Sequence, residues 1–342
     1  MPFFDTTSKC YIIAEISANH NGSLEAALEL VGLAKGCGAD AVKIQTYTAD
    51  TLTLDCDNEF FKIRGGTLWD GGTLHELYKK AHTPWEWHPM LFAEANKIGI
   101  DCFSTPFDET AVDFLEQFDP PYHKIASFEL IHHPLLRKVA ETGRPVILST
   151  GMATFEEIAA AVEILRMNGC KDLALLKCTS SYPASPSEAN LARIPHMAEA
   201  FGCLAGLSDH TMGIAVPVAA VALGARIIEK HFCKSRSEQG PDSAFSLEPD
   251  EFSAMVAAVR IAEQAVGKAS YERTPGEAAG LAFRRSLFFV NDLPAGHRIT
   301  NEDLRIIRPG QGLAPEHLAA VVGQTLSEKV DRGTPVAWKH LS

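Results

Sequence analysis

The sequence predicts a (β/α)8 barrel followed by a small, mainly β domain, which together make an α/β chain of 342 residues. Eight short apolar segments alternate with helical patterns over residues 1–266, and a texture broken by Pro and Gly begins beyond Val266. The apolar segments carry few polar residues, as strands of a parallel sheet covered on both faces do. An open doubly wound sheet usually has fewer strands, and no G-x-G-x-x-G follows the first segment, so a closed barrel is favoured.

The apolar segments give eight predicted strands in chain order. They are Tyr11–Ser17, Ala41–Tyr47, Ile100–Pro106, Tyr122–Ser127, Pro145–Thr150, Leu173–Thr179, Cys203–Ser208 and Arg226–His231. Most are followed by a segment in which apolar residues recur every three or four positions, as on the buried face of a helix. Examples are Ser23–Cys37, Phe155–Asn168 and Glu251–Val266.

The longest interruption of this pattern lies between Thr48 and Thr83, after the second strand. It contains several glycines and Trp69, and it falls on the side of the barrel where catalysis is expected. A loop of this length is either a lid that closes over substrate or a structural insertion, and the sequence leaves both interpretations open.

The change in amino-acid composition beyond Val266 predicts the domain boundaries. We expect a barrel domain over residues 1–266, a linker over 267–282 and a second domain over 283–342. The linker is small and polar and contains Pro275 and Gly276, whereas the second domain has short strand patterns separated by turns. The second domain is too short to bury a large core alone, so it is expected to pack against a barrel, its own or that of a second subunit.

The charge balance restricts the possible partners. Lys and Arg number 31 and Asp and Glu number 43, which gives a net charge of −12 and argues against nucleic acid or an anionic membrane as partner. No apolar run is long enough to cross a membrane. The eight cysteines are scattered, with no C-x-x-C pair and no apolar leader segment before them, which predicts a cytoplasmic protein with buried thiols.

Polar residues at the carboxyl ends of the strands mark the expected site of a barrel enzyme. His210 and His231 end two successive predicted strands, so both imidazoles are expected near one point of the barrel mouth. Two imidazole nitrogens leave coordination positions for water and substrate oxygens, which predicts a divalent metal site. The alternative is a pair of hydrogen-bonded histidines without a metal. Strand ends also carry Lys177, Asp209 and Glu229.

Two lysines and a set of hydroxyls at the strand ends predict an anion site. Lys43 and Lys124 are the cations, and the hydroxyls belong to Thr105, Ser127, Ser149, Ser180 and Ser208. Such a group suits a small molecule with a phosphate and a carboxylate. A barrel lysine can also form a Schiff base, and this chemistry stays open. Glu15 and Glu129 are candidate acid or base groups, unless they only anchor a lysine.

Eight motifs in chain order resemble the sialic acid synthase family. They are AEISANHNGSLE, KIQTYT, FSTPFDE, YHKIASFE, STGMAT, LKCTSSYP, GLSDHTMG and ALGARIIEKHF. The tail from RRSLFF to ITNEDLRIIRPGQG is similar to the SAF domain, related to type III antifreeze proteins, which this family carries after its barrel. The resemblance covers nearly the whole chain.

The resemblance implies an activity and an assembly. Members of the family condense phosphoenolpyruvate with an open-chain amino sugar, giving a nine-carbon 2-keto sugar acid and phosphate. They use a divalent metal, commonly Mn²⁺, with Mg²⁺ or Co²⁺ as alternatives. The resemblance also implies a homodimer in which the SAF domains are swapped between subunits.

The motifs also imply roles for individual residues. His210 and His231 match the metal ligands, and Glu15 and Glu129 match acidic residues near the reacting carbons, with Lys43 as a further catalytic group. The residues implied to bind the substrates are Lys43, Gln45, Thr105, Lys124, Ser127, Ser149, Ser180, Tyr182, Ser208 and Arg308. Arg308 matches an arginine that the SAF domain of the partner subunit gives to the acyl group of the sugar.

Within the family, Ser17, the CTSSYP motif and the stretch from Ile63 to His88 resemble the pseudaminic acid synthases. Neuraminate synthases more often carry Gly in place of Ser17 and Asn in place of Ser180. The resemblance therefore implies 2,4-diacetamido-2,4,6-trideoxy-L-altrose as the sugar, with a less polar pocket wall where a hydroxyl is missing. Three alternatives remain: an N-acetylneuraminate or legionaminic acid synthase that takes a manno-configured sugar, a metal-free Schiff-base aldolase or lyase, and a non-catalytic sugar-binding protein.

Overall fold

The computed structural model of the protein describes residues 9–64, 66 and 68–342. Its contacts divide the chain into two compact units, Met1–Gly267 and Lys268–Ser342. Each unit has a hydrophobic core of its own.

The first unit is a closed barrel of eight parallel strands, which confirms the predicted fold class. The strands are β1 (Tyr11–Glu15), β2 (Ala41–Thr46), β3 (Asp101–Pro106), β4 (His123–Ile125), β5 (Val146–Ser149), β6 (Leu173–Cys178), β7 (Leu204–Asp209) and β8 (Ile227–His231). Each strand pairs with the next along the chain, and β8 closes the barrel on β1, where His231 pairs with Glu15. The fourth strand is shorter than predicted because a 3-10 turn over Ser127–Glu129 follows it.

The helices of the first unit follow the strands in chain order, and most of them pack around the outside of the barrel. They are α1 (Leu24–Gly36), α2 (Ala49–Leu52), α3 (Leu74–Ala81), α4 (His88–Ile98), α5 (Glu109–Leu115), α6 (His133–Glu141), α7 (Phe155–Met167), α8 (Arg193–Phe201), α9 (Ala215–Ala222) and α10 (Pro249–Val266). Ser23, Thr73, Asp108 and Thr154 each accept a hydrogen bond from a backbone N–H in the first turn of the helix they precede. These caps satisfy donors that a helix start leaves free. No helix in the described ranges is both long and apolar enough to cross a membrane.

Side chains along each strand alternate between the barrel interior and the surrounding helices. On β8, Ile227 belongs to the apolar cluster inside the barrel and Ile228 to the larger cluster between the barrel and its helices. Glu229 and His231, two and four positions beyond Ile227, therefore also point inward. The apolar lower half of the barrel thus fixes which polar side chains meet at the mouth.

The described part of the segment between β2 and α4 contains two helices. Its helices α2 and α3 are joined by a hydrogen bond of 2.9 Å between His75 Nε2 and Asp50 Oδ1. Trp69 donates from Nε1 to the carbonyl oxygen of Pro241, at 3.1 Å. These contacts hold the segment at the barrel mouth, and its movement as a lid stays a prediction.

The second unit has little regular structure. Strand β9 (Ser286–Phe289) pairs antiparallel with β10 (Leu304–Ile307), and the short helices are α11 (Pro275–Ala278) and α12 (Leu318–Val321). Its core contains Leu287, Phe289, Ile299 and Val336. The segment predicted as a linker, 267–282, is helical in its second half, where Thr274 caps α11 and a 3-10 turn covers Ala279–Phe283.

Candidate active site

Lys43 lies within a buried group of charges at the carboxyl end of the barrel. Its ammonium forms an ion pair with Glu15, donates to Thr105 Oγ1 at 3.1 Å and lies 3.7 Å from Glu229 Oε1. Burial alone would lower the pKa of Lys43, but the carboxylates of Glu15 and Glu229 outweigh burial and raise it. Lys43 is therefore a fixed cation.

Lys124 supplies a second buried cation. It donates from Nζ to Ser149 Oγ at 2.7 Å and lies 3.9 Å from Glu229 Oε1, and burial lowers its pKa. Glu229, which accepts from Ser208 Oγ at 3.2 Å, faces both lysines. Burial would raise the pKa of Glu229, but Lys124 and Lys43 lower it, so this carboxylate is ionised.

Glu15 has a raised pKa. Burial raises the pKa of its carboxyl to about 7, against the opposing effect of Lys43. Lys43 and Lys124 therefore lie among the carboxyl groups of Glu15 and Glu229, and two ammonium groups close together suit an anionic ligand.

Ser127 and Ser180 converge on Gly151 in the loop after β5. Gly151 donates from its backbone nitrogen to Ser127 Oγ at 3.0 Å. A Cβ atom at position 151 would collide with both serine hydroxyls, so only glycine allows this arrangement. The structure places the five predicted hydroxyl side chains at the barrel mouth, with those of Thr105, Ser149 and Ser208 on the lysine and glutamate groups.

His210 and His231 meet at the ends of β7 and β8, with ring centroids 5.3 Å apart. His210 hydrogen-bonds through Nδ1 to the carbonyl oxygen of Thr179 at 2.9 Å, which leaves Nε2 for a ligand. Nδ1 of His231 is buried and has no hydrogen-bond partner. Burial is the main cause that holds the pKa of His231 well below its ordinary value, so its ring is neutral.

These two histidines fit a divalent metal. A buried polar nitrogen without a partner is costly unless something binds to it, and neutral imidazole is a good ligand for transition metals. Within the described part of the chain, no group of three or more His, Cys, Asp and Glu side chains is arranged to hold a metal. The protein would therefore supply two nitrogens, and the remaining coordination positions would fall to water or substrate.

A cavity of about 340 Å³ opens beside His231, within the size range of small-ligand sites. Its polar lining includes Gln45, Glu129, Tyr182 and Asp242. Its apolar lining comes largely from the segment between β2 and α4, through Leu52, Ile63, Trp69, Leu74, Leu77 and Ala81. The cavity can therefore hold a ligand that is polar on one part and apolar on another.

Glu129 is a titratable residue that lines this cavity. Its Oε2 is buried and has no hydrogen-bond partner. Burial raises the pKa of Glu129 to about 7. A carboxyl with this pKa can both take up and release a proton near neutral pH.

The structure adds two carboxylates that were not assigned a role from the sequence. Glu229 faces the two lysines. It lies two residues before His231 on β8, so the alternation of side chains along the strand could have identified it as an inward-facing residue. Asp242 accepts a hydrogen bond from Ser17 Oγ at the cavity. Ser17 has φ = +40°, a region that favours glycine, so its side chain is kept there at some conformational cost. Asp242 lies in a loop, where no sequence period indicates what a side chain faces.

The remaining predicted residues lie in different places. Gln45 donates to Glu15 Oε1 at 3.3 Å, and the ring of Tyr182 lies 4.4 Å from that of His210, between centroids. Arg308 is exposed in the second unit, directly after β10. Its predicted contact with a sugar in the partner subunit stays a prediction.

Comparisons with known proteins identify the family. The NeuB family pattern matches residues 30–271 and the SAF domain pattern matches residues 284–342. The chain is 47% identical to the pseudaminic acid synthase of Campylobacter jejuni over 96% of each chain, and 40% identical to the N,N'-diacetyllegionaminic acid synthase of Legionella pneumophila over 97% of this chain and 94% of that one. The solved structure of an N-acetylneuraminic acid synthetase from Leptospira borgpetersenii matches with a TM-score of 0.72 at 32% identity, covering 80% of this chain and 90% of that one. The resemblance inferred from the motifs is confirmed: this chain belongs to the NeuB family and ends in a SAF domain.

Proposed function

We propose that this chain is a pseudaminic acid synthase. It is a transferase that joins phosphoenolpyruvate to 2,4-diacetamido-2,4,6-trideoxy-L-altrose, giving pseudaminic acid and phosphate. The observation that carries the proposal is the 47% identity to the C. jejuni pseudaminic acid synthase over 96% of each chain. The reducing cytoplasm is the proposed compartment, because all eight cysteines are free thiols.

Lys43 and Lys124 are proposed to bind phosphoenolpyruvate. They extend from β2 and β4, so two ammonium groups are available for the carboxylate and the phosphate of one molecule. The hydroxyls of Thr105, Ser149 and Ser127 add hydrogen-bond donors around them. Binding at two charged points would fix the direction of the enol carbon, which is the main requirement for carbon–carbon bond formation.

His210 and His231 are proposed to hold the divalent metal on which the NeuB family generally depends. The proposed ion is Mn²⁺, with Mg²⁺ or Co²⁺ as alternatives. When bound, such an ion supplies Lewis-acid polarisation of the sugar aldehyde. The support from this chain is the buried, unpaired Nδ1 of His231 beside a second imidazole.

In the proposed reaction, the enol carbon of phosphoenolpyruvate bonds to the aldehyde carbon of the open-chain sugar. Water adds to the carbon that carries the phosphate, and loss of phosphate then leaves the 2-keto acid. Glu129 is proposed to take the proton from this water, because its free Oε2 lies at the cavity whereas Glu15 is paired with Lys43.

The raised pKa of Glu129 predicts how activity depends on pH. A base acts only when ionised, so kcat is expected to rise as the pH increases through about 7. Glu129→Gln is expected to lower kcat by about 10²–10⁴-fold and to remove this rise, whereas Glu15→Gln should retain it. Phosphate release measured across the neutral range gives the profile. A rise that persists in Glu129→Gln and disappears in Glu15→Gln would reassign the base to Glu15.

The apolar lining of the cavity is proposed to contact the deoxygenated end of the sugar. Leu77→Asn places an amide in this wall, so the KM for the sugar is expected to rise by about 10-fold, with the KM for phosphoenolpyruvate unchanged. Leu54→Asn is the matched control, because Leu54 belongs to the same segment but is 64% exposed. Equal effects of the two substitutions would show that the wall does not contact the sugar.

Arg308 is proposed to complete the site of the partner subunit in a domain-swapped homodimer. Arg308→Ala and Lys43→Met are each expected to inactivate a pure dimer. If the two variants are unfolded and refolded together, one of the two sites in each mixed dimer has both residues intact, and about a quarter of the wild-type activity should return. No return of activity in mixed dimers, with Arg308→Ala inactive by itself, would place Arg308 in the site of its own subunit.

One assay tests the proposed substrate. The purified protein is incubated with phosphoenolpyruvate, Mn²⁺ and one of three sugars: the 2,4-diacetamido-altrose sugar, its manno-configured counterpart or N-acetylmannosamine. Phosphate release with the altrose sugar is expected. Turnover of the manno-configured sugar alone would indicate a legionaminic acid synthase, and turnover of N-acetylmannosamine alone a neuraminate synthase.

Three further measurements address the other function classes. Borohydride treatment in the presence of pyruvate is expected to leave no adduct on Lys43 or Lys124, and a chelator is expected to abolish activity. A covalent adduct together with chelator-resistant activity would identify a Schiff-base enzyme. Glycan binding without any phosphate release would identify a sugar-binding protein.

A further inference from the structure

A buried ion pair joins the ends of β7 and β8 on the face turned away from the active site. Lys230 donates from Nζ to Asp209 Oδ2 at 2.5 Å and to the carbonyl oxygen of Thr211. Thr211 donates to the same carboxylate from its backbone nitrogen and from Oγ1, both at 3.0 Å. The side chains of Lys230 and Asp209 are 0% and 2% exposed. The two charges therefore depend on each other and on Thr211.

The strand register connects this pair to the histidines. Asp209 pairs with Lys230 and Ser208 pairs with Glu229 across the β7–β8 ladder. Because side chains alternate along a strand, Asp209 and Lys230 point outward while the next residue of each, His210 and His231, points inward. Each member of the ion pair is thus one peptide unit away from one imidazole.

Burial of this pair calls for a reason other than stability. A buried ion pair is often replaced by well-packed apolar residues with no loss of stability, because desolvation of the two charges offsets their attraction. The surrounding positions on these strands, such as Leu207 and Ile228, are apolar and face the helices. Unlike apolar side chains, a carboxylate with three donors around it tolerates little displacement of its partners.

We propose that Asp209 and Lys230 are positioning residues that hold His210 and His231 at the separation a divalent metal needs. The proposal rests on the metal-binding role of the two histidines in the proposed function. A site with only two protein ligands gains affinity chiefly from their preorganisation, and it loosens when either ligand moves by about 1 Å. The ion pair would supply this preorganisation from outside the site.

The test removes both charges and keeps the shapes of the side chains. Asp209→Asn combined with Lys230→Met avoids the unpaired buried charge that either single change would leave. The Kd for Mn²⁺ is measured by electron paramagnetic resonance of the free ion, and the absorption spectrum of Co²⁺ reports the ligand geometry. The Kd for Mn²⁺ is expected to rise by about 10-fold and the Co²⁺ spectrum to change. Binding of phosphoenolpyruvate without metal should stay within about twofold of wild type, since Lys43 and Lys124 extend from other strands.

A matched control removes another ion pair of the same barrel. Arg260 Nη2 and Asp40 Oδ2 are 2.9 Å apart, and Asp40 directly precedes β2. Arg260→Met with Asp40→Asn is expected to lower the melting temperature and to leave the Kd for Mn²⁺ unchanged. Thr211→Val is a milder probe, because it removes only one donor to Asp209, and it should raise the Kd for Mn²⁺ by less than the double variant does.

The possible outcomes separate this proposal from the function on which it rests. A folded double variant that binds Mn²⁺ as wild type does would overturn the positioning role, as would an equal loss of affinity in the Arg260 and Asp40 control. If the double variant does not fold, the Kd of Thr211→Val for Mn²⁺ is compared with that of the wild type. An unchanged Kd would then overturn the positioning role. A wild-type protein that binds neither Mn²⁺ nor Co²⁺ would instead refute the metal site itself.

Discussion

Replacing Lys43 by methionine is expected to lower kcat/KM for phosphoenolpyruvate by about 10³-fold. The substitution removes a cation that contacts Glu15 and lies 3.7 Å from Glu229. An anionic substrate would then approach carboxyl groups with only Lys124 to oppose their charge. The KM for phosphoenolpyruvate should rise because a charged contact is lost, and kcat should fall because the enol carbon is no longer held in one direction. Steady-state phosphate release measures both constants.

A second variant separates this catalytic loss from unfolding. Removing one partner of a buried ion pair costs about 3–5 kcal/mol of stability, so Lys43→Met alone is expected to be less stable. Adding Glu15→Gln should recover stability without activity. Lys97→Met is the control, because the side chain of Lys97 is 72% exposed and its pair with Glu94 is expected to contribute less than about 1 kcal/mol. If the variant with both Lys43→Met and Glu15→Gln recovered activity as well as stability, Lys43 would have only a structural role.

Replacing His231 by alanine is expected to raise the Kd for Mn²⁺ by more than about 100-fold and to abolish turnover. The substitution removes one of two protein nitrogens proposed to hold the ion, and it also removes a buried nitrogen that has no hydrogen-bond partner. Folding should therefore suffer little beyond the loss of ring packing against Phe245, whose centroid lies 4.9 Å away. Calorimetric titration with Mn²⁺ and thermal unfolding without metal measure the two effects separately.

Chelation gives an independent check on the same residue. Treatment of the wild-type protein with a chelator should reproduce the inactivity of His231→Ala, and added Mn²⁺ should restore the wild type but not the variant. His82→Ala is the control, because the ring of His82 hydrogen-bonds the carbonyl oxygen of Lys79 in α3, the helix that it follows, and does not line the cavity. A chelated wild-type protein with full activity would remove the metal from the mechanism.

Much of the barrel could be predicted because buried parallel strands are short, apolar and separated by amphipathic helices. The strand ends were correct to within a few residues, which was enough to bring Lys43 and His231 to one place. The alternation of side chains along each strand also indicates which residues point into the barrel. Ala174 and Leu176 of β6 lie inside the barrel, so Cys178 points inward and Lys177 outward, where Lys177 donates to Thr179 Oγ1 at 2.6 Å.

Only part of the cavity could have been predicted. Leu74, Leu77 and Ala81 recur with helical spacing on one face of α3, whereas Ile63, Trp69 and Asp242 lie outside helices and strands, where no period indicates what a side chain faces. Their placement depends on contacts between residues distant in sequence, such as the hydrogen bond from Trp69 to Pro241. A single sequence contains the residues of such a contact but no sign that they meet.

The segment between β2 and α4 enters the barrel at a connection and leaves every strand pairing intact. It lines the cavity beside His231, whereas Lys43 and Lys124 extend from the strands themselves. In the proposed function, recognition of the sugar and binding of phosphoenolpyruvate therefore involve separable parts of one chain. We expect that exchanging this segment between members of the family changes the preferred sugar and leaves the binding of phosphoenolpyruvate unchanged.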